Sequence, residues 1–598
     1  MKAPRIARAI AVAAVGALAV AGLSAVAAPA GAATRTLVRF VTSNAPTSIN
    51  AGTQDTNLTV NNDISYLVST GFQYYNNKPE LVKNTKFGTF KVLKQSPFTV
   101  QYTINKGLTW SDGTPIDAAD LMLTYVHASG QFNDDATKTL WDSASAGGVL
   151  SDASKTPKIS ADGQSLTLVY DKFNSSWELG LDVSSLPAHG LVRLAYPTDS
   201  PAVAKARFLQ AVQEKDFKVL KKLADKWNTA YNILDTKGVD SSTNPNLLIT
   251  SGAYKIKSAV ANQSVTLVRN DKYKSGPIPT IKTIQVKVVE DSTAAAQALA
   301  NGEIDLLEGQ ATADSVAALK KQAGTAVYGY GTAIYEHIDI KFNGPAWKGM
   351  PAAKAADLRK AFLLTVPRED IVNNLVKPVS SKAVVMNSFT TFPSEPGYAK
   401  IVANNGSKAY TGAIASRIAE AQKIMTKYGY SATNKLELKL LFGRPGNERR
   451  EAEAKLMIAS AAKAYIDLSG SANAKWSSAL DAASHDVQFF AWAKTSTAVA
   501  SPRETYGWNL DTDEALGGNY TAYKSVAASK ALDKLTGKLD AAGVQDAYLA
   551  AEKELYKDAY GLLLFQHPGV AAATKALKNV KPGPLSPSIV WNYWEWKF

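Results

Sequence analysis

The sequence predicts an α/β fold built as two lobes, and three observations carry that reading. After an N-terminal leader about 565 residues remain, far too many for one hydrophobic core. Period-two apolar runs and 3.6-period apolar stripes are mixed along the whole chain. Neither an internal repeat nor a low-complexity tether interrupts it, which argues against beads on flexible linkers.

The leader comes first. Lys2, Arg5 and Arg8 form a cationic segment, and an uninterrupted small-apolar stretch follows from Ala9 to Ala28, then Pro29. Ala30-Gly31-Ala32 reads as an A-x-A cleavage site, which makes Ala33 the first mature residue of an exported protein. An uncleaved anchor is the alternative, and the Ala and Gly richness with the A-x-A ending argues against it. No later segment offers ~20 consecutive apolar residues, so a soluble mature chain is expected.

The first half reads as strands and turns with short helices. Phe98, Val100, Tyr102 and Ile104 share one face of a period-two strand, with Thr99, Gln101 and Thr103 on the other. Asp112-Gly113 signals a turn, and Asp117 is placed to cap a helix whose third position is Asp120. Leu121, Tyr125 and Ala128 mark that helix's apolar stripe, and Gly130 can end it. Leu166, Leu168 and Tyr170 form a strand after a turn at Asp162-Gly163. Tyr254 and Ile256 pair with Val265 and Leu267 as a hairpin around Asn262-Gln263. A strand through Ile284, Val286 and Val288 precedes a helix over Thr293–Ala300 capped by Ser292. Asn301-Gly302 stops that helix, and Ile304, Leu306 and Leu307 make the next strand.

The second half is richer in helix. Leu358, Ala361, Phe362 and Thr365 keep helical spacing, and Pro367 opens another helix. Ile414, Ile418, Ala421 and Met425 form a stripe ending at Gly429. Further helices are expected over about Glu451–Tyr465 and Val544–Tyr560, then a strand Leu562–Phe565 stopping at Pro568.

Composition excludes whole classes of chemistry. The chain has no cysteine, which removes disulfides, thiol nucleophiles, iron–sulfur clusters and thiolate zinc sites. It also removes any lipid-bearing cysteine after the leader. His127, His189, His337, His485 and His567 have no ligand spacing, so no metal or cofactor is predicted. There is no G-x-S-x-G, H-E-x-x-H or P-loop motif, so no catalytic residue is assigned and no enzyme is expected. Paired carboxylates for glycoside cleavage stay open as the hydrolase alternative, because their closeness is a property of the fold. Without Lys2, Arg5 and Arg8 the chain has 63 basic against 52 acidic residues, scattered rather than in a nucleic-acid stripe.

Several segments, in order, carry a resemblance. WSDGTPIDAADLMLTYVHASG from Trp110, TSGAYKI from Thr250 with the following VRNDKYKSGPIPTIKTIQVKVV, AAQALANGEIDLLEG from Ala295 and LRKAFLLTVPREDIV from Leu358 together resemble the family 5 extracytoplasmic solute-binding proteins. Val366-Pro367-Arg368 departs slightly from that pattern. The resemblance implies a two-lobed periplasmic-binding-protein-like clamp whose hinge is crossed by two segments. One lobe would hold 33–328 plus 571–598, with an extra subdomain at about 76–245, and the other 329–570. It implies a secreted monomer that captures peptides or similar elongated solutes between its lobes and delivers them to the permease of an ABC importer. Oligosaccharides, metal chelates or signalling peptides are the alternative ligands, since fold alone does not choose.

The resemblance also points to site residues. Trp492, placed just after an apolar strand, matches a cleft-lining tryptophan. Thr495 stands where several relatives carry an aspartate for the peptide amino terminus; a hydroxyl can accept a hydrogen bond but supplies no charge. Arg444 in LFGRPGNERR resembles an arginine that faces a ligand carboxylate. Tyr74 and Tyr75 are expected on a first-lobe wall, and Asn343 beside the hinge. Arg449 and Arg450 read as solvated charges at a helix start, and the Trp591-Tyr593-Trp594-Trp596 cluster as packing of the returning tail.

Overall fold

The computed structural model describes residues 35–134, 140–233, 238–443 and 445–598. The expected leader with its cleavage site after Ala32, and Arg444, lie outside the described residues.

One large mixed sheet organises the molecule. Its strands are β1 (Leu37–Thr42), β2 (Val239–Asp240), β3 (Tyr254–Val260), β4 (Ser264–Arg269), β5 (Thr283–Val288), β6 (Leu306–Glu308), β7 (Thr325–Ile340), β8 (Leu436–Phe442), β9 (Ile466–Ser469), β10 (Val487–Ala493) and β11 (Gly561–Thr574). Their spatial order is β9-β8-β10-β7-β11-β6-β1-β5-β4-β3-β2. β1 lies parallel between β5 and β6, and β8 lies parallel between β9 and β10. Parallel neighbours need a crossover, and helices Ser292–Ala300 and Glu448–Ala462 supply it on the two sides. Both lobe-like halves of the sheet are therefore α/β.

The long antiparallel pair β7 and β11 joins the halves. Thr325 to Gly331 runs opposite Thr574 to Pro568, and Tyr335 resumes opposite Gln566. Four residues on β7 thus advance against two on β11, a bulge that bends the ladder. Its loosened backbone groups find other partners: Thr332 Oγ1 donates to the His567 carbonyl at 2.8 Å, Gln566 Nε2 to the Thr332 carbonyl at 2.6 Å, and the Ala333 N–H to the Pro584 carbonyl at 2.6 Å. The expected stop at Pro568 is corrected here. Pro568, opposite Gly331, is the paired residue at which the register skip begins, a place where a missing N–H is tolerated, and the strand continues to Thr574.

A separate four-stranded antiparallel sheet pairs Gly88–Gln95, Phe98–Ile104, Ser165–Val169 and Lys158–Ile159. Beside it, helix Ala118–Ala128 begins with the capping box read from Asp117 and Asp120. Asp120 is fully buried, accepts from Trp110 Nε1 at 3.1 Å, and is paired with Lys205 Nζ at 2.9 Å. Other helix starts shift by a few residues toward better caps. Asp291, not Ser292, caps the helix after β5, Asn447 opens the helix expected at Glu451, and Asp540 the one expected at Val544.

Candidate functional site

A cavity of ≈ 920 Å³ lies against the β7/β11 bulge and takes its walls from both halves of the sheet. Thr332, Ile334, Tyr335, His567 and Pro568 line it from the bulge itself. Tyr330 lines it one step earlier, its ring packed over Gly569, where a β-carbon would come within 2.5 Å of a ring carbon. Glycine at 569 is what lets that ring lie flat against the neighbouring strand.

Its apolar wall comes from the end of β10. Trp492 stacks on Tyr520 with centroids 5.7 Å apart and planes 11° apart, and meets Phe490 edge-on at 5.3 Å. Trp476 packs on Phe490 at 5.7 Å, and all four rings line the cavity. Such rings offer rigid apolar area at little entropic cost.

The basic group comes from the first turn of helix Glu448–Ala462. Arg450 Nε donates to Glu336 Oε1 at 3.0 Å, and Arg449 Nη2 to Glu336 Oε2 at 3.1 Å. His567 Nε2 lies 2.8 Å from Glu336 Oε2, and since a carboxylate only accepts, this nitrogen carries the proton. Burial alone would raise the Glu336 carboxyl, yet Arg450, His567 and Arg449 hold it well below the usual range. Burial, with the charge of Arg449, pushes His567 down to about 4, so its ring is neutral at pH 7. Glu453 is fully buried, and burial with the charge of Glu336 pushes it up to about 8 against the pull of both arginines. Arg449 Nε also lies 3.1 Å from Glu453 Oε1, so the two guanidinium groups at this wall are held by the carboxyl groups of Glu336 and Glu453.

An acidic group stands on the other half of the sheet. Glu308, at the end of β6, accepts hydrogen bonds from Tyr330 Oη and Ser588 Oγ. Asp63, on helix Thr59–Val68, is 3% exposed and its Oδ1 has no hydrogen-bond partner. Both line the cavity, and burial together with the charge of Glu308 pushes Asp63 well above the usual carboxylate range.

Hydrogen bonds between segments far apart in sequence bring the two halves together. The Gln310 and Asn447 amides bond reciprocally, Asn447 Nδ2 to Gln310 Oε1 at 2.9 Å and Gln310 Nε2 to Asn447 Oδ1 at 3.2 Å. Thr497 N donates to Tyr75 Oη at 3.3 Å. Ser175 donates its N–H to the Thr536 carbonyl at 2.7 Å and its hydroxyl to the Leu535 carbonyl at 2.6 Å.

Of the residues singled out from sequence, Trp492 and Thr495 line the cavity together. Trp492 lies inside β10 rather than after it, opposite Tyr335. Tyr75 bonds to Thr497 and Tyr74 packs edge-on against Trp594 at 5.2 Å, and neither tyrosine is among the cavity walls. Asn343 is exposed and is not among the cavity walls. The reading of Arg449 and Arg450 as solvated is corrected: Arg450 is 8% exposed and the Arg449 side chain 12%. The signal was present in the sequence, because Arg450, Ala454, Met457 and Ala461 form one helical stripe and all four are buried. Asp63 similarly follows Val60 by three residues and precedes Leu67 by four on a buried face.

The comparisons accord with this geometry. The model of the bacterial extracellular solute-binding proteins, family 5 (middle region), matches residues 93–515. An uncharacterized lipoprotein of Mycobacterium tuberculosis is 25% identical over 205 residues, 34% of this chain and 34% of its own length. The chain thus spans about a third of such mycobacterial relatives in the matched region. The periplasmic oligopeptide-binding protein OppA of Haemophilus influenzae is 23% identical over 483 residues, 78% of this chain and 76% of the relative. Among solved structures, the oligopeptide-binding protein AppA of Bacillus subtilis in complex with a nonapeptide superposes with a TM-score of 0.68 at 17% identity, covering 94% of this chain and 99% of that one. A periplasmic EDTA-binding protein, EppA, gives 0.71 at 19% identity, over 94% and 96%.

Proposed function

We propose that this chain, which belongs to the bacterial extracellular solute-binding proteins, family 5, captures peptides between two lobes and hands them to an ABC importer without chemically altering them. The observation that carries this reading is a cavity of ≈ 920 Å³ with aromatic rings, a basic group and an acidic group on its walls. An elongated zwitterion needs those three things: apolar side-chain pockets and opposite charges for its ends. The lobes we assign are 33–328 with 571–598, including the subdomain at about 76–245, and 329–570. β7 and β11 are then the two hinge segments.

Trp492 would bound a side-chain pocket, and Thr495 would offer a neutral hydrogen bond. Arg449 and Arg450 would receive a carboxylate, the role the sequence suggested for Arg444. Tyr75 would act in closure rather than in ligand contact, and neither Tyr74 nor Asn343 is assigned a contact. Among the described residues no helix is long and apolar enough to cross a membrane. With leader 1–32 removed and no cysteine to carry a lipid, the chain would work as a secreted monomer at the cell envelope. Uptake of a radiolabelled peptide mixture by its host, with and without this gene, tests transport. Loss of uptake on deletion, restored by the intact gene, is the expected result; undiminished uptake overturns the importer role.

A further inference from the structure

We infer that Asp63 and Glu308 together form a receiving site for a primary ammonium group of the bound solute. The inference rests on the peptide reading above and deepens it, because nothing in the sequence signature supplies this charge at Thr495. A threonine hydroxyl there can only share a hydrogen bond.

Three observations place the site. Asp63 is 3% exposed, lines the cavity, and leaves Oδ1 without a hydrogen-bond partner. A buried polar atom left unpaired is costly unless something completes it. Glu308 lines the same cavity and is oriented by two hydroxyl donors, Tyr330 and Ser588, which arrive from the hinge strand β7 and the C-terminal segment. Among the described residues neither carboxylate forms an ion pair with a lysine, arginine or histidine. Glu308 stands close enough to raise the proton affinity of Asp63, and with no counter-cation from the protein the pair favours a cation from outside.

The chemistry selects an ammonium over a bulky cation. An ammonium is a compact point charge whose three N–H donors can be shared between two adjacent carboxyl groups, where a bulky cation could not approach both. The guanidinium groups of Arg449 and Arg450 line the same cavity, so a solute with separated ammonium and carboxylate groups answers both walls. Two sources can offer the ammonium, a peptide amino terminus or a lysine side chain.

Isothermal titration of the purified protein with penta-alanine, N-acetyl-penta-alanine and an N-acetylated peptide containing one lysine separates these cases. The expected result is a preference for free-amine over acetylated penta-alanine of about tenfold or more, the usual range for a charge-assisted hydrogen bond. That preference falls to within about twofold in Asp63→Asn and in Glu308→Gln; the second variant serves if the first unfolds. Recovery of affinity by the lysine peptide assigns the site to a side chain, and its failure assigns it to the terminus. Equal affinity for the free and acetylated forms, or a preference that survives both substitutions, overturns the inference while leaving peptide binding intact. If no peptide binds in any form, the peptide reading fails and hexylamine against hexanol judges the site. An amine preference abolished by Asp63→Asn sustains it, and no amine binding overturns it.

Discussion

Gln310→Ala should weaken ligand capture by releasing the two halves of the clamp. The Gln310 and Asn447 amides exchange two hydrogen bonds, at 2.9 and 3.2 Å, from positions beyond β6 and beyond β8. Each partly exposed amide bond contributes a net of about 0.5–1 kcal/mol, so losing both shifts the closed form by about 1–2 kcal/mol. That is roughly a 5- to 30-fold change in the closed-to-open ratio, and a ligand that binds only the closed form loses affinity by the same factor at most. Gln310 is the better target, because Asn447 also accepts from the Arg450 N–H as a helix cap, and its loss would confound closure with helix stability. Small-angle scattering of the ligand-free protein reports the population, and calorimetry with a bound peptide reports affinity. A larger mean radius with weakened binding is expected. An unchanged radius with unchanged affinity would refute the latch.

Three further outcomes follow from the cavity walls. Trp492→Ala removes the ring stacked on Tyr520, and peptide affinity should fall by about tenfold while the protein stays folded; undiminished affinity takes Trp492 out of the site. Glu336→Gln leaves Arg449 and Arg450 without their shared carboxylate and should destabilise the protein by about 3–5 kcal/mol in urea titrations, whereas a loss under 1 kcal/mol would contradict the buried cluster. Glu453 carries a folded-state value of about 8 against an unfolded value near 4.5, so the native state binds the extra proton and stability from this group falls as pH rises through that window. Glu453→Gln should therefore gain stability relative to the parent at pH 8 and little at pH 5. The comparison is between proteins at each pH, since His567, held near 4, acts in the opposite sense below 6.5.

Much of the fold was legible because local signals agreed with tertiary burial. The strand Phe98–Ile104, the capping box at Asp117 and Asp120, and the stripe through Ile418, Ala421 and Met425 all stand where the pattern put them. The full length of β11 is hidden in the sequence because Pro568 is a strong stop by itself, and the bulge opposite it, formed by residues more than 200 positions away, makes it harmless. The candidate site was legible in part. An aromatic beside a strand end drew attention to Trp492, but Asp63, Glu308 and Glu336 are charges inside apolar runs whose meaning depends on partners distant in sequence. A run of charged residues at a helix start ordinarily faces water, which masks the burial of Arg450, although its spacing to Ala454, Met457 and Ala461 marks the buried face.

Native mass spectrometry of the protein purified from its own host under non-denaturing conditions tests the central claim most directly. Peptides of mixed mass, released on denaturation, are the predicted result. A single sugar or metal-chelate mass, with no peptide among the released species, would keep the fold and contradict the ligand.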